Sequence, residues 1–213
     1  MIKLIFFDMD GVLTVEKSSW FYVNNKLGIN NRENYMKYMV GELSYPAFFE
    51  LDLKAWIEKY PGIRADDIKE ILDEIQPVQG IEKTMNFLKK NSIVPVIVSG
   101  GISWLSDRLV RDYGIKEAYA NKIYCDASGR IIPEGDIQVD PAIKDWVMRK
   151  IMIKYDVKQE ECLAIGDSES DYSMYRAVQN FIAFNSDSDF LRKISSSSME
   201  NDLSGIIEYI ESY

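Results

Sequence analysis

The chain has 213 residues, 46% of them hydrophobic, with 34 Asp and Glu against 25 Lys and Arg for a formal net charge of −9. That length holds one sizeable core with a smaller inserted module, and the acidic balance argues against nucleic-acid binding. There is no histidine, which excludes a Ser–His–Asp triad, a His-ligated metal and a phosphohistidine, and leaves acid–base work near neutral pH to carboxylates, Lys, Tyr or Cys.

The first element is the apolar run Ile2-Lys3-Leu4-Ile5-Phe6-Phe7, read as a buried strand. Asp8 and Asp10 stand at its end, and Gly11 lets the backbone turn sharply after them. Two carboxylates this close repel and are costly to desolvate. Either a bound cation compensates them, or the site needs one ionised and one protonated carboxyl. The pair also interrupts the apolar run too early for a signal peptide. From Thr14 the pattern turns helical. Ser18 or Ser19 caps a helix ending at Gly28, and Asn30 or Asn31 caps a second ending near Gly41. Ser44 opens a third, with Pro46 in its first turn and Pro61-Gly62 as its stop. Asp66 and Asp67 begin a fourth, which stops before Pro77. This succession predicts a small helical module over residues 15–77.

Alternation begins at Val78. Ile81–Lys90 reads as a helix, Ser92–Val98 as a β-branched strand, and Ile102–Tyr113 as a helix closed by Gly114. Residues 118–132 read as a short strand and a hairpin turning at Asp126-Ala127-Ser128-Gly129. A helix over Ala142–Tyr155, a buried strand over Cys162–Ile165, a helix over Asp171–Ala177 and a strand over Phe181–Phe184 follow. Ser195–Ser198 reads as a polar loop, and Asp202 caps a C-terminal helix. Alternating strands and helices predict an α/β fold, a doubly wound Rossmann-like parallel sheet built from residues 1–14 and 78–213. The longest uncharged stretch, Asn91–Ser106, contains Pro95, Gly100 and Gly101 and is too short for a membrane span. Cys125 and Cys162 lack a CxxC spacing, and Cys162 in an apolar run reads as a buried reduced thiol. A cytoplasmic protein, monomeric or homodimeric, is expected, with no membrane partner.

Ligands of doubly wound sheets bind where the carboxyl ends of the strands gather. Three further features fall there. Ser99-Gly100-Gly101 offers a hydroxyl and open backbone N–H groups suited to phosphate oxygens, or else a tight turn. In Gly166-Asp167-Ser168-Glu169-Ser170-Asp171, the two Asp residues read equally as helix caps or as site carboxylates. Together with Asp8 and Asp10 they could hold Mg²⁺, which prefers carboxylates, waters and phosphate oxygens. Lys144, after Asp140-Pro141, is by itself most simply a solvated surface residue.

The combination resembles the haloacid dehalogenase superfamily: D-x-D-G-V-x-T after the first strand, S-G-G after a second, a Lys, then G-D-x-x-x-D after a third. The helical module following the first motif looks like the C1 type of cap. The nearest resemblance is to phosphoserine phosphatases, supported by Gln76-Pro77-Val78-Gln79-Gly80, Val96–Gly101, Tyr119-Ala120-Asn121 and Asp171-Tyr172-Ser173-Met174. The resemblance implies a Mg²⁺-dependent phosphomonoester hydrolase acting on a small phosphorylated metabolite. Asp8 would be the nucleophile that becomes an aspartyl-phosphate, and Asp10 the general acid and then base, its pKa raised by crowding among carboxylates. Asp8, the backbone carbonyl of Asp10 and Asp167 would ligate the metal, with Asp171 in support. Ser99, Gly100 and Lys144 would hold the phosphoryl oxygens.

In phosphoserine phosphatases the cap grips the amino-acid part with a Glu after the first motif and an Arg in the third cap helix. Here Glu16 lies near the first place, with Lys17 competing for it, and Ser44–Tyr60 has no Arg. Phosphoserine is therefore possible but doubtful. The cap is rich in aromatics instead. These pack the small bundle, or Trp20, Phe21 or Phe48 lines the entry and favours a ring-bearing or apolar leaving group. The alternatives are a phosphomutase of the same superfamily, a non-catalytic binder, and a phospho-accepting signalling domain, whose acceptor Asp would follow a third strand.

Overall fold

The computed structural model describes residues 1–213. Its centre is β1 (Leu4–Phe7), whose four residues are all buried. A strand covered on both faces needs apolar side chains at every position rather than at alternate ones. Ile5 and Phe7 pack into one core layer with Ile97, Leu163 and Ile165, while Leu4 and Phe6 pack into the other with Val96, Val98 and Ala164. β2 (Val94–Ile102) and β5 (Cys162–Gly166) flank β1 in parallel, placing Phe7 opposite Ile97 and Ile165. β3 (Glu117–Cys125), β4 (Ile131–Asp136), β6 (Phe181–Phe184) and β7 (Ser197–Met199) complete a seven-stranded sheet in the order β4-β3-β2-β1-β5-β6-β7. Only the β3–β4 pair is antiparallel. The parallel order brings the ends of β1, β2 and β5 to one edge, as a doubly wound sheet does.

Between β1 and α5 (Ile81–Lys90) lie α1 (Ser19–Lys26), α2 (Arg32–Met39), α3 (Tyr45–Lys59) and α4 (Ala65–Asp73). Ser18 and Ser44 cap α1 and α3 by accepting from Phe21 N and Ala47 N, the roles their small hydroxyl side chains suit. The two linkers that enter and leave these helices pair with each other: Val15 N donates to Gln76 O and Val78 N to Leu13 O, at 2.9 and 3.0 Å. The helices also lean on the β3–β4 hairpin, through Ala65 N to Gly129 O and Ile131 N to Ile63 O, each 3.0 Å.

The remaining helices are α6 (Ser103–Tyr113), α7 (Asp145–Tyr155), α8 (Tyr172–Val178), α9 (Asp189–Ile194) and α10 (Ile206–Ser212). Four details depart from the sequence reading. Ser195–Ser198 is not wholly a loop, because backbone pairing to β6 makes Ser197–Met199 a short edge strand without needing apolar side chains. α9, capped by Ser188, was not expected. β2 runs on through Gly100 and Gly101, with a shift of register against β3 between Val98 and Ile102. The helix expected over Ala142–Tyr155 opens as a 3-10 turn, Pro141–Ile143, with Lys144 at the junction to α7. No helix is long and apolar enough to cross a membrane.

Candidate active site

Asp8, Asp10, Ser99, Lys144, Asp167 and Asp171 are all buried, at the common edge of β1, β2 and β5. Backbone pairing fixes the first of them: Asp8 N donates to Ile165 O at 2.9 Å, holding the end of β1 against the end of β5. Asp8 Oδ1 accepts from Met9 N at 2.7 Å, and Asp8 Oδ2 lies 2.9 Å from Lys144 Nζ. The chain then turns at Gly11, with φ of +77°, where a side chain would also collide with the Asp167 carboxylate. Only glycine meets both demands.

Lys144 is 1% exposed. Its ammonium lies between Asp8 Oδ2 and Asp171 Oδ1, 2.6 Å from the latter. Its backbone N–H donates to Ser173 Oγ at 3.0 Å, anchoring the junction before α7 to the start of α8. Burial alone would lower the lysine pKa, but Asp171 and Asp8 more than offset it, and the ammonium is held above its ordinary value. Asp171 Oδ2 in turn accepts from Asp167 N at 2.9 Å and Ser168 N at 3.2 Å. Asp171 thus both caps its turn and pairs with the lysine.

Carboxylate oxygens of Asp8, Asp167 and Asp171 come within 4.8 Å of one another. Burial pushes Asp8 well above the usual carboxylate range despite Lys144, with Asp171 and Asp167 adding to the rise. Burial, then Asp171, lifts Asp167 to about 7, and Lys17, 3.3 Å away, offsets part of this. Three buried carboxylates around a single buried ammonium leave negative charge uncompensated. A hard divalent cation fits an all-oxygen set of this kind.

Asp10 faces elsewhere. Its Oδ2 accepts from both the N–H and the hydroxyl of Ser19, at 2.9 and 2.8 Å, while Oδ1 is buried without a partner. Its pKa is raised to about 6. The chief cause is burial rather than crowding by the other aspartates: Ser19 and Lys144 pull the value down, and Glu16 adds only a small rise. The Asp10 side chain is not part of the metal-like cluster.

Ser99 Oγ accepts from Gly101 N at 3.1 Å, so its proton is free to donate to an anion. The candidate cap residues divide. The Trp20 indole N–H donates to Gly100 O at 3.1 Å, bringing α1 onto the Ser99–Gly101 segment. Phe48 is buried and stacks on Tyr38, 5.5 Å between ring centroids. Phe21 is 59% exposed on α1. The Glu16 carbonyl accepts from Gly11 N at 2.8 Å, and its carboxylate adds charge near Asp10. Its neighbour Lys17 is the residue that reaches the acidic cluster, and it also donates to Asn185 O at 2.5 Å. Sequence reasoning missed Ser19 and Ser173 as neighbours of the site, and placed Lys17 there only as a rival of Glu16. Two serines in succession, where a helix needs a single cap, were the one signal for Ser19.

The haloacid dehalogenase-like hydrolase family matches residues 2–179 of this chain. A phosphoserine phosphatase from Methanocaldococcus jannaschii is 25% identical over 213 residues, covering 98% of each chain. Phosphoserine phosphatase ThrH from Pseudomonas aeruginosa is 25% identical over 187 residues, covering 87% of this chain and 84% of its own. Among solved structures, a phospho-aspartyl intermediate analogue of phosphoserine phosphatase superposes with a TM-score of 0.79 at 23% identity, covering 98% of both chains. At that identity the likeness speaks for the fold.

Proposed function

The chain belongs to the haloacid dehalogenase-like hydrolases, and from that premise we propose how its residues hydrolyse a phosphomonoester. It is a phosphoric monoester hydrolase with phosphoserine phosphatases among its relatives. An Asp8 carboxylate oxygen attacks phosphorus, the bond from phosphorus to the leaving oxygen breaks, and an aspartyl-phosphate forms. Asp10, protonated, gives its proton to the departing oxygen. Ionised, it then takes a proton from the water that attacks the aspartyl-phosphate, and inorganic phosphate leaves with Asp8 regenerated. Lys144 and the Ser99 hydroxyl hold the phosphoryl oxygens and lend them positive charge and a proton.

Asp8, Asp167 and the Asp10 carbonyl would hold Mg²⁺, with Asp171 positioning Lys144 and the Asp167 backbone. When bound, the ion neutralises charge on the phosphoryl group and on the aspartates. The observation that carries this reading is the Lys144 ammonium at 2.9 Å from Asp8 and 2.6 Å from Asp171, at the buried edge of the sheet, with Asp10 held apart by Ser19.

The substrate is a small phosphorylated metabolite. On α3, where an arginine would meet a substrate carboxylate, Asp52 lies 2% exposed between the amides of Asn24 and Asn31. No guanidinium projects from that helix, which counts against phosphoserine. The free thiols Cys125 and Cys162 fit a reducing cytoplasm.

The test is free phosphate released from phosphoserine, sugar phosphates, nucleotides and aryl phosphates, with Mg²⁺ and with chelator. Mg²⁺-dependent release from at least one of them, abolished in Asp8→Asn, is expected. No release from any, or full turnover by Asp8→Asn, would overturn the reading.

A further inference from the structure

Three donors converge on one backbone oxygen beside the phosphate site. Gly100 O accepts from Tyr45 Oη at 2.8 Å, Asn121 Nδ2 at 3.0 Å and Trp20 Nε1 at 3.1 Å. A carbonyl oxygen has two lone pairs, so this one is saturated. Two of the donors come from the inserted helices, Trp20 from α1 and Tyr45 from α3. The third, Asn121, is wholly buried on β3 of the core. Its amide nitrogen shares two hydrogens among Gly100 O, Tyr45 Oη at 2.8 Å and Val139 O at 2.9 Å, and its Oδ1 accepts from Val139 N at 3.0 Å. The tyrosine is therefore seated in a fixed core socket.

The peptide that carries this oxygen also carries the Gly101 N–H. In a trans peptide the C=O and N–H point in opposite directions. With the oxygen drawn toward the cap, the N–H is directed at Ser99 Oγ, to which it donates at 3.1 Å. That bond fills an acceptor position of the hydroxyl and leaves its proton for a phosphoryl oxygen. Pro141 backs the same residue: a Cβ on Gly100 would stand 2.9 Å from the Pro141 ring. A second tie runs alongside. Tyr38 Oη donates to Asp140 Oδ1 at 3.1 Å, and that same oxygen caps Ala142 N at 2.9 Å, in the turn that leads to Lys144.

We propose that Tyr45, Trp20 and Asn121 are positioning residues that couple seating of the cap to the hydrogen-bonding direction of Ser99, through the Gly100–Gly101 peptide. This rests on the phosphohydrolase reading above. In the seated state the hydroxyl is aimed as a donor. With the cap lifted, Gly100 O keeps only Asn121, the peptide is free to rotate, and Ser99 loses its fixed direction. The site is then competent only when the cap is closed over a substrate.

Tyr45→Phe keeps the ring that packs on Tyr38, and Trp20→Phe keeps a smaller aromatic ring against Phe49 and Trp56, while each removes one donor. With p-nitrophenyl phosphate and Mg²⁺, Tyr45→Phe is expected to lower kcat about tenfold to a hundredfold, less than the roughly hundredfold to thousandfold cost of losing a transition-state donor outright, because Ser99 itself remains. Tyr60→Phe removes a hydroxyl bonded to Leu27 O on the far side of the cap, and its turnover is expected to match the wild type. In a Ser99→Ala background, Tyr45→Phe should change kcat less than twofold, because its effect passes through the missing hydroxyl. Multiplying losses in the double variant, or wild-type turnover by both Tyr45→Phe and Trp20→Phe, would overturn the proposal.

Hydrogen exchange at the Gly101 amide, read by NMR without substrate, gives the same test independently of activity. Faster exchange in Tyr45→Phe but not in Tyr60→Phe is expected, and equal exchange in both would overturn the coupling. If the wild type released no phosphate from any ester, the phosphohydrolase reading would fall while this measurement still decided the coupling.

Discussion

Ser19 grips Asp10 from two sides, its backbone N–H and its hydroxyl both reaching Oδ2, at 2.9 and 2.8 Å. Burial raises Asp10 to about 6 and Ser19 restrains the rise, so the serine sets how long Asp10 keeps the proton it must donate. The first chemical step needs the protonated form, and kcat/KM is expected to fall as pH rises through about 6. Ser19→Ala removes a donor to the ionised form. A hydrogen bond to a charged group is worth about 1.5–3 kcal/mol, and one pKa unit is about 1.36 kcal/mol, so the falling limb should move upward by about one to two units. A pH profile of kcat/KM for the two proteins checks this, and an unmoved limb would remove Ser19 from the role.

Lys144 is the only fully buried cation at the acidic cluster. In Lys144→Met, Asp8 and Asp171 lose their common partner inside the protein. Breaking a buried pair in this way costs about 3–5 kcal/mol. The sign with pH follows from the charges left behind. Asp8, already raised by burial with the lysine in place, binds its proton more tightly still without it, so the variant recovers stability as pH falls. Urea unfolding at pH 8 and pH 5 should show a larger loss at pH 8. Equal losses at the two values would mean that the lysine acts through packing alone.

Asp52 is the buried carboxylate with no cation. The amides of Asn31 and Asn24 hold it, and burial still lifts it to about 6 from an ordinary value of 3.8. The folded state therefore binds its proton more tightly. Stability is lost as pH climbs through that window and the cost is complete above it. In Asp52→Asn this contribution disappears. The stability difference between variant and wild type should shift in the variant's favour by about 2–3 kcal/mol between pH 4 and pH 7. Parallel unfolding curves across that range would show that Asp52 stays at its ordinary value when folded.

The parts of this molecule that were legible in the sequence are those where one local pattern carries the whole signal. Leu4–Phe7 ends in two aspartates and a glycine, so the strand, the turn and the site were read together. The parts that were not legible depend on what the sheet brings together from a distance. Nothing around Lys144 distinguishes it from a surface lysine, and only its place in the order of motifs pointed to the site that β1 and β5 form by setting Asp8 and Asp171 on either side of it. Ser19 was hidden because Ser18 beside it took the capping role. Tyr45 read as one of the aromatics packing the cap, and Asn121 entered only as part of a motif stretch, since their shared partner is a backbone carbonyl with no side chain to mark it. Ser197–Met199 has no strand pattern because its two serines pair through the backbone and only Met199 reaches the core.

Asp167 connects metal binding to stability with opposite signs in the two states. Without a cation, burial and Asp171 lift it to about 7. Its folded value lies above its unfolded one, so above pH 7 its full charge is carried at a cost to the fold. Asp167→Asn should therefore make the chelated protein more stable than the wild type at pH 8. Mg²⁺ acts in the other direction and narrows the gap. A ligand at about a hundred times its Kd adds about 2.7 kcal/mol to the state that binds it, and the variant, short of one carboxylate ligand, should gain less than half of that. Thermal unfolding of both proteins in chelator and in saturating Mg²⁺ reads the two effects separately. A wild type whose unfolding temperature ignores Mg²⁺ would remove the ion from the Asp8–Asp167 cluster. A variant that gains as much from the ion as the wild type would remove Asp167 from the ligand set.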